Sequence, residues 1–509
     1  MPDQAVLNVD LADVWEERGR KQYIRTVAWG DEITVVKQAA TYLEVSITVF
    51  REKPDGSILP ESITGYIEPT KSSGIKVADL VRPVLDNKVL KVNFVDVQQG
   101  DGMVIESPDG KIILIDGGDN QMFARYLAGR FRNTSADHPK QIDCLVVTHG
   151  DADHFAGLSE ILTSETNKVT RKRLFMQPQR VYHNGLVKRP TRMNNKDVPD
   201  TKLLGPTKTV DGRLYLTGLE ENLLDVDDKE MNEPFREWKQ TLATYNSRNP
   251  ISFRRLQLGD NQAFEFFNRT DMRIEVLGPI TTQVGGQPAL RFLGEPPTGP
   301  RIGHDSLNDS DEGFTGHSAS HTINGHSIVL RLSYGGFSFL FSGDLNDEAS
   351  RFLAREHNKG TLNLRSEVFK VPHHGSADFS GAFIQAVSPI VSCVSSGDEN
   401  ARKEYIHPRA TLMGALGKWS RVPEPLIFVT ELVAFFQTEG PSRLQDEKAA
   451  KKRGPFFGFS RTAYGLVKTR TDGHRLFVYT DSGNVQMKEA YAYQLDSSGV
   501  PQPAEVNRA

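Results

Sequence analysis

The sequence contains only two cysteines, Cys144 and Cys393, and each lies inside an apolar, strand-like run (IDCLVV and IVSCVSS). This placement predicts two buried free thiols and argues against a disulfide or a cysteine metal site. No stretch approaches the roughly 18 uninterrupted apolar residues of a membrane span. The first residues, MPDQAVLNVDLADVW, lack the cationic start and apolar core of a signal peptide. We therefore expect a soluble, cytoplasmic protein.

Net charge is also nearly absent. The chain has 61 Lys and Arg against 65 Asp and Glu, which gives a formal charge of −4. A chain of this charge has no global attraction for a polyanion, so any contact with nucleic acid must come from a local patch. With 509 residues, of which 38% are hydrophobic, it is long enough to form two or three domains with sizeable cores.

The pattern of apolar runs divides the chain near residue 88. Residues 1–88 alternate short apolar runs with turn signals such as KPDG at 53–56, which predicts a small all-β domain, with an SH3-like barrel as one form it could take. Such a domain either binds a protein partner or a second copy, or caps its neighbour. Residues 89–509 are predicted as a second domain with an insertion at about 168–320. The final residues, SSGVPQPAEVNRA, are expected to be disordered.

The most informative stretch is DCLVVTHGDADHFAGL at 143–158. An apolar, β-branched run ends there in four potential metal ligands: His149, Asp151, Asp153 and His154. His149 and Asp151 are two apart on an extended turn and can face one ion. Asp153 and His154 fall on the next bend and can face a second, which suits a binuclear centre with ions roughly 3.5–4 Å apart. The alternative is a solvated acidic turn that holds two histidines.

Four ordered motifs resemble those of the metallo-β-lactamase superfamily. They are KIILIDGGDN at 111–120, THGDADHFAGL at 148–158, FLFSGDLN at 339–346 and FKVPHHGS at 369–376. The nearest branch is the hydrolase domain of ComEC-type competence proteins, without their membrane channel. The resemblance implies an α/β fold of four layers, the αββα sandwich. Two mixed β-sheets pack face to face in this fold, helices cover them, and metal ligands lie on loops at one sheet edge.

The resemblance also implies roles for residues outside the metal loop. Asp116 would orient the metal-loop histidines through hydrogen bonds, although Asp-Gly alone is also a common turn, and Asp344 would bridge two ions. Adjacent side chains of an extended segment point in opposite directions, so only one of His373 and His374 is expected to face the metals. The sequence does not choose between them. His407 would hold a phosphate oxygen or protonate a leaving alkoxide, or is a surface histidine.

Two departures from the superfamily pattern concern the metals. The usual loop is HxHxDH, whereas Asp151 stands here in place of the second histidine. A carboxylate shifts preference from zinc toward manganese or magnesium without excluding zinc. The third-motif histidine is not assured: His326 is best placed, and His317, His321 and Asn324 compete. We expect two divalent ions, held by His149, Asp151, Asp153, His154, Asp344, His373 or His374, and His326.

A basic stretch follows the metal loop. Nine Lys and Arg residues lie in 168–196, and no acidic residue stands between Glu165 and Asp197. Because the stretch starts soon after the loop, Arg171, Lys172 and Arg173 are candidates for contacts with a phosphate backbone, the alternative being a solvated insertion. Ser376 either caps the following helix or contacts substrate. A second basic run, KAAKKR at 448–453, is expected to be an exposed loop.

The leading hypothesis for function is hydrolysis of a phosphodiester in DNA, RNA or a nucleotide signal. The resemblance implies it, because ComEC-type hydrolase domains are associated with nuclease activity, and two metal ions would activate the attacking water. Asp116, Asp153 and His407 are the residues expected to support catalysis. A second hypothesis is hydrolysis of a small lactone, thioester or β-lactam. A third is an inactive scaffold that holds metal within a larger complex.

Overall fold

The structure is a computed structural model that describes residues 3–52, 58–193, 195–296, 314–397, 407–433, 435–441, 457–463, 465–481 and 489–509. The predicted turn at 53–56 and the basic run at 448–453 lie outside the described residues. The chain divides into two compact units. The first comprises Met1–Val92, Ser107–Gly110 and Val433–Ala509, and the second comprises Asn93–Glu106 and Lys111–Leu432.

The first unit is all-β. Its seven-stranded antiparallel sheet has the order Lys21–Ala28, Leu11–Glu17, Ile58–Ile67, Leu43–Glu52, Glu32–Gln38, Asp3–Leu7 and Val81–Pro83. Alternate residues of one strand, Leu43, Val45 and Ile47, point into its core, as expected when one face of a sheet is buried. The prediction of an all-β region therefore agrees with the structure, and its likeness to an SH3 barrel stays a prediction.

The C-terminal segment belongs to this first unit, which differs from the predicted boundary. Its strands are Phe435–Pro441 paired with Phe457–Ala463, and the antiparallel series Leu466–Thr471, Arg475–Asp481, Ala490–Leu495 and Pro501–Ala504. The Arg475 guanidinium binds the Asp10 carboxylate at 2.5 Å, and Arg508 lies 3.0 Å from Asp13. These ion pairs join the two ends of the sequence. The expectation of a disordered C-terminus is wrong, because the last strand pairs along its whole length.

The second unit contains two main sheets. The order of the first is Ser252–Arg255, Arg180–His183, Cys144–Val146, Ile112–Ile115, Met103–Glu106 and Leu90–Val95. The first four of these strands are parallel. Ile112–Ile115 (IILI) is buried along its whole length, which is typical of a parallel strand covered on both faces. Parallel strands end at one edge of a sheet, so the residues that follow them are brought together there.

The order of the second sheet is Met272–Gly278, Val329–Tyr334, Phe337–Phe341, Val368–Lys370, Val391–Val394 and Leu426–Val429. The predicted hairpin at Gly335-Gly336 is confirmed, since Tyr334 pairs with Phe337 across it. The strands from Phe337–Phe341 onward are parallel. The rings of Phe94 and Phe341, one from each sheet, lie 6.4 Å apart. The two sheets therefore contact each other through apolar side chains.

Helices accompany both sheets. They are α1 (Met122–Arg130), α2 (Ala152–Ser164), α3 (Glu233–Arg248), α4 (Ala319–Gly325), α5 (Asp347–Asn358), α6 (Gly381–Val387) and α7 (Ala410–Trp419). Helices α2 and α3 meet through Phe155 and Phe235, whose rings are 4.8 Å apart. Leu353, Phe383 and Leu416, from α5, α6 and α7, share one core with the second sheet. Within the described part of the chain, no helix combines the length and apolar character needed to cross a membrane.

The predicted insertion at about 168–320 is too long. Three of its strands, Arg180–His183, Ser252–Arg255 and Met272–Gly278, belong to the main sheets. A separate antiparallel sheet in this interval has the order Thr207–Val210, Arg213–Leu216, Gln287–Arg291 and Thr282–Val284. Two short pairs are Lys140–Ile142 with Met176–Pro178, and Arg192–Met193 with Lys196–Asp197. Strands without a ligand motif at their ends carry no sequence signal that assigns them to a sheet. Cys144 and Cys393 are buried and free, as predicted.

Candidate metal centre

Three histidine rings converge on one carboxylate oxygen where the strands of the two sheets end. The Nε2 atoms of His374, His154 and His149 lie 3.1, 3.3 and 4.0 Å from Oδ2 of Asp344. All four side chains are buried. Asp153 joins them, with its Oδ2 3.6 Å from His374 Nε2. Imidazole and carboxylate ligands in this arrangement suit a divalent transition-metal ion.

The hydrogen bonding of these atoms tests whether a metal fits. The Nε2 atoms of His149, His154 and His374 and the Oδ1 atom of Asp344 are buried, and none has a hydrogen-bond partner among the described residues. A buried polar atom without a partner costs about 1–3 kcal/mol, so four in one place need an explanation. A divalent cation would interact with all four. The residues present therefore fit a metal ion.

Hydrogen bonds at Nδ1 orient the rings of His374 and His154 so that Nε2 faces Asp344. His374 Nδ1 lies 3.0 Å from the carbonyl oxygen of Ser395, and His154 Nδ1 lies 2.9 Å from Oδ2 of Asp116. A carbonyl and a carboxylate can only accept, so in both rings Nδ1 carries the hydrogen and donates. Hydrogen bonds of this kind fix the tautomer of a metal-binding histidine. Nε2 then keeps a lone pair for the metal once it is deprotonated.

His149 is held by two hydroxyl groups. Its Nδ1 lies 3.2 Å from Thr148 Oγ1 and 3.3 Å from Ser327 Oγ. The Ser327 hydroxyl donates to the carbonyl oxygen of Asn324 at 2.8 Å, so its lone pairs accept from the ring and from the backbone N–H of Asp344, at 3.0 Å. Ser327 therefore positions two candidate ligands at once. Sequence reasoning missed it, because an isolated serine carries no signal.

Asp116 occupies a turn that only a few residue types adopt readily. Its φ is +56°, in the left-handed region that aspartate tolerates better than most residues. Its Oδ1 accepts from the backbone N–H of Thr148 at 2.8 Å and its Oδ2 from the Thr148 hydroxyl at 2.6 Å. Burial raises the pKa of the Asp116 carboxyl, and the positive charge of His154 opposes the rise. Asp116 thus supports the metal loop without joining the three Nε2 atoms.

The electrostatics of the cluster couple its histidines to its carboxylates. Burial favours the neutral form of Asp344, yet the charges of His154 and His374 hold the pKa of Asp344 well below its usual value. In turn, burial lowers the pKa of His374, but the nearby carboxylates of Asp344 and Asp153 raise it to about 10. Protons on these rings balance the buried negative charge. A metal ion would take over that task, since metal binding to histidine displaces protons.

The turn at His373–Gly375 explains which of the adjacent histidines faces the cluster. His373 and His374 have φ of +50° and +52°, so the segment is a tight turn and the alternation expected of an extended strand does not apply. His374 enters the cluster. The ring of His373 instead lies 6.3 Å from that of His407. Burial and the charge of His373 lower the pKa of His407 to about 4. His407 therefore lies beside the candidate centre, next to His373.

Two predicted ligands lie outside the cluster. The Nε2 atom of His326 lies 2.7 Å from the carbonyl oxygen of Arg291, so that nitrogen is already used, and we correct the prediction for His326. Asp151 begins α2 as its N-cap residue, and its Oδ1 binds the Lys188 ammonium at 2.8 Å. Neither residue belongs to the groups of described residues whose donor atoms can share one ion.

Two further charged residues were missed by sequence reasoning. Lys370, the last residue of the strand Val368–Lys370, is buried and forms an ion pair with the buried Asp101. Its Nζ also donates to the carbonyl oxygen of Gly343 at 2.9 Å and lies 3.8 Å from Oδ1 of Asp344. A lysine inside an otherwise apolar strand (VFKV) was the available signal, because buried lysines need a charged partner.

The structure does not place Arg171, Lys172 and Arg173 at the metal loop. They follow α2, whose 13 residues begin at the cluster. A helix of this length spans about 20 Å at 1.5 Å per residue. The chain then enters Arg180–His183, parallel to Cys144–Val146, from the edge opposite the metal loop. The expectation that these three residues lie beside the metal loop is wrong, and their contact with a phosphate backbone stays a prediction.

Ser376 has a local role. Its hydroxyl accepts from the backbone N–H of Asp378 at 3.2 Å. The helix that follows is capped by Ser380, which accepts from the N–H of Phe383 at 3.3 Å. The expectation that Ser376 caps this helix is therefore wrong. A contact between Ser376 and substrate stays a prediction.

Comparisons with known proteins agree with this geometry. Residues 95–179 match the model of the metallo-beta-lactamase superfamily. Competence protein ComA of Neisseria gonorrhoeae is 42% identical over 86 residues, which are 17% of this chain and 12% of that protein. ComE operon protein 3 of Bacillus subtilis (strain 168) is 34% identical over 98 residues, 19% of this chain and 12% of that protein. Each similarity thus spans about an eighth of the relative. Residues 95–179 are therefore similar to the metallo-β-lactamase superfamily, and this part of the chain is also similar to the two competence-related proteins.

Proposed function

We propose that this chain is a metal-dependent hydrolase that cleaves phosphodiester bonds in DNA, RNA or a nucleotide signal. The observation that supports it most strongly is the convergence of three buried Nε2 atoms on Oδ2 of Asp344. Asp153, His154, His374, His149 and Asp344 would hold two divalent ions, with manganese, magnesium and zinc as candidates. Such ions supply an activated water and neutralise charge on phosphoryl oxygens.

The residues of the chain divide the remaining tasks. Asp116 and Ser395 keep the His154 and His374 rings oriented, as their hydrogen bonds indicate. His373 and His407 form a ring pair next to His374, and we assign to them contact with substrate oxygens. This chemistry requires no serine or cysteine nucleophile. The two cysteines are buried and remain outside the proposed reaction.

The substrate class rests on the similarity to competence proteins together with the resemblance to hydrolase domains associated with nuclease activity. Local positive charge at the site edge comes from Lys188 and Arg189, which follow the strand Arg180–His183. Both already bind carboxylates, Asp151 and Glu230 respectively. They therefore provide less free positive charge than the sequence alone indicates.

A cleavage panel tests the proposal. Metal-free protein is supplied with manganese, magnesium or zinc and mixed with linear and circular DNA, RNA, cyclic nucleotides and a chromogenic phosphodiester. We expect cleavage of at least one substrate by the wild type and its loss in Asp153→Ala. Asp137→Ala, which changes an exposed aspartate, is the matched control and keeps activity. A metal-loaded protein that cleaves none of the panel but opens a lactone, thioester or β-lactam would contradict the proposal.

A further inference from the structure

We infer that the two metal positions are unequal in affinity, and that Lys188 is the residue that weakens the second. The inference rests on the proposed function, because it assumes that the centre binds divalent ions. The donors are unevenly divided. Asp153, His154 and His374 place their donor atoms within reach of one ion, and Oδ2 of Asp344 lies 3.1–3.3 Å from both Nε2 atoms. The first position thus has four protein donors.

The second position has fewer donors. The His154 donor atom is within reach of both groups, one with Asp153 and His374 and one with His149 and Asp344. A histidine Nε2 has one lone pair and binds one ion, and we assign His154 to the first position. Among the described residues, His149 Nε2 and Asp344 Oδ1 then remain for a second ion, and the Lys370 ammonium lies 3.8 Å from that Oδ1. The donor that would strengthen it is Asp151, two residues after His149. Whether a second ion binds tightly therefore depends on the Asp151 carboxylate.

That carboxylate already has two partners. Lys188 Nζ lies 2.8 Å from its Oδ1, within the range of a charge-assisted hydrogen bond. The Asn324 amide nitrogen, in the orientation that satisfies both ends of the amide, donates to its Oδ2 at 2.9 Å. The side chains of Lys188 and Asp151 are only 27% and 24% exposed, so water screens the pair incompletely. The positively charged ammonium group of Lys188 therefore occupies the carboxylate that a second metal ion would need.

The topology explains why Lys188 reaches this position. The strand Arg180–His183 runs parallel to Cys144–Val146, so the chain leaves it at the same sheet edge as the metal loop. The backbone carbonyl of Lys188 accepts from the N–H of Asn232 at 2.9 Å, just before α3, and this contact fixes the backbone beside Asp151. The contact between Lys188 and Asp151 is therefore a consequence of the sheet order.

An ion entering the second position must displace Lys188 from Asp151 or bind without this carboxylate. Either course weakens binding, because the ammonium repels a second cation and occupies the ligand. In the contacts of the described residues, no lysine binds Asp153, His154 or His374. Lys370 lies 3.8 Å from Oδ1 of Asp344, but Asp344 is a donor of both positions, so Lys370 does not distinguish them. We expect the wild type to bind one Mn²⁺ tightly and a second at least tenfold more weakly.

Calorimetric titration of Mn²⁺ into metal-free protein tests this, with bound metal counted by elemental analysis. In Lys188→Met, which keeps the bulk and removes the charge, the second affinity should rise at least tenfold and the first should stay unchanged. Lys172→Met, at the far end of α2, is the matched control and should behave as the wild type. Asp151→Asn should retain only the tight site, whether or not Lys188→Met folds well.

The outcomes separate this inference from the proposed function. Two ions bound with equal affinity by the wild type, or an unchanged second affinity in folded Lys188→Met, would overturn the role of Lys188 and leave the hydrolase proposal intact. A tightly bound second ion in Asp151→Asn would also overturn the role of Lys188 and leave the hydrolase proposal intact. A wild-type protein that binds no divalent ion would instead overturn the proposed function.

Discussion

His374 Nδ1 donates to the carbonyl oxygen of Ser395 at 3.0 Å, and this bond decides which ring nitrogen faces the centre. Ser395 follows the strand Val391–Val394, which is parallel to Val368–Lys370, the strand that precedes His374. The residue that follows one strand thus orients a candidate metal ligand that follows the neighbouring strand. The ring can present Nε2 to a metal because a backbone carbonyl, which only accepts, holds Nδ1.

The first prediction separates the two adjacent histidines. His374→Ala removes an Nε2 that lies 3.1 Å from Asp344 Oδ2, and we expect the tight metal site to be lost. His373→Ala should keep the bound metal and reduce only turnover, since its ring faces His407. Elemental analysis after dialysis measures the bound metal. Equal retention by the two variants would contradict the assignment of His374 as the ligand.

The second prediction concerns the support behind His154. In Asp116→Asn, the carboxylate that accepts from His154 Nδ1 at 2.9 Å becomes a neutral amide. Loss of such a supporting group typically lowers metal affinity about 10–100-fold. The matched control is Asp119→Asn, which makes the same change at an exposed position of the same loop. Calorimetry with Mn²⁺ measures both, and a wild-type affinity in Asp116→Asn would show that Asp116 serves only the turn.

The sequence predicted those site residues that follow an apolar strand within a recognisable motif. His149, Asp153, His154 and Asp344 were found in this way, and the structure brings them together. Asp116 was also found, as their support. The strand-to-loop pattern and the ligand chemistry of His149, Asp153 and His154 occur in one short stretch, so no knowledge of distant contacts was needed for them. The roles of Asp344 and Asp116 came from the resemblance of their motifs to the metallo-β-lactamase superfamily.

The rest depended on contacts between distant segments. Ser327 and Lys370 each contact a partner more than 20 positions away in the sequence, His149 and Asp101 respectively. Nothing local marks Ser327, and the apolar run around Lys370 indicates only that it needs a charged partner. Lys188 belongs to the basic stretch 168–196, whose two ends lie at opposite edges of the sheet. The number of positive charges in this stretch did not reveal that Lys188 binds Asp151. The choice between His373 and His374 required the backbone turn, because left-handed residues do not alternate as a strand does.

The third prediction concerns Lys370, whose side chain is fully buried between Asp101 and Asp344. Lys370→Met would leave the buried Asp101 carboxylate without its ammonium partner and would remove a positive charge 3.8 Å from Oδ1 of Asp344. Removing one partner of a buried ion pair typically costs about 3–5 kcal/mol, so we expect the free energy of unfolding in urea to fall by about that amount. Asp101→Asn combined with Lys370→Met should recover part of the loss, because it removes one of the two charges. No recovery would mean that the ammonium stabilises through packing and not through charge.

The last prediction concerns the close approach of Gly100 to the metal loop. A Cβ at Gly100 would lie 1.8 Å from the carbonyl oxygen of Asp153, and the residue has a φ of +102°. Gly100→Ala must therefore push the first turn of α2 away from the centre. Gly110→Ala is the matched control: its φ of +84° is also in the left-handed region, but no atom lies within 4 Å of the added Cβ.

Comparing the two glycine variants separates backbone strain from displacement of the ligand. Gly110→Ala should lose about 1–2 kcal/mol of unfolding free energy, the usual cost of a left-handed conformation for a residue with a Cβ. Gly100→Ala should lose more, because its Cβ also displaces backbone. Only Gly100→Ala should also bind Mn²⁺ more weakly, because Asp153 and His154 both lie on the displaced turn. Urea denaturation and Mn²⁺ calorimetry measure the two quantities. A loss of metal affinity in Gly110→Ala equal to that in Gly100→Ala would refute the role of this contact, because only Gly100 touches the metal loop.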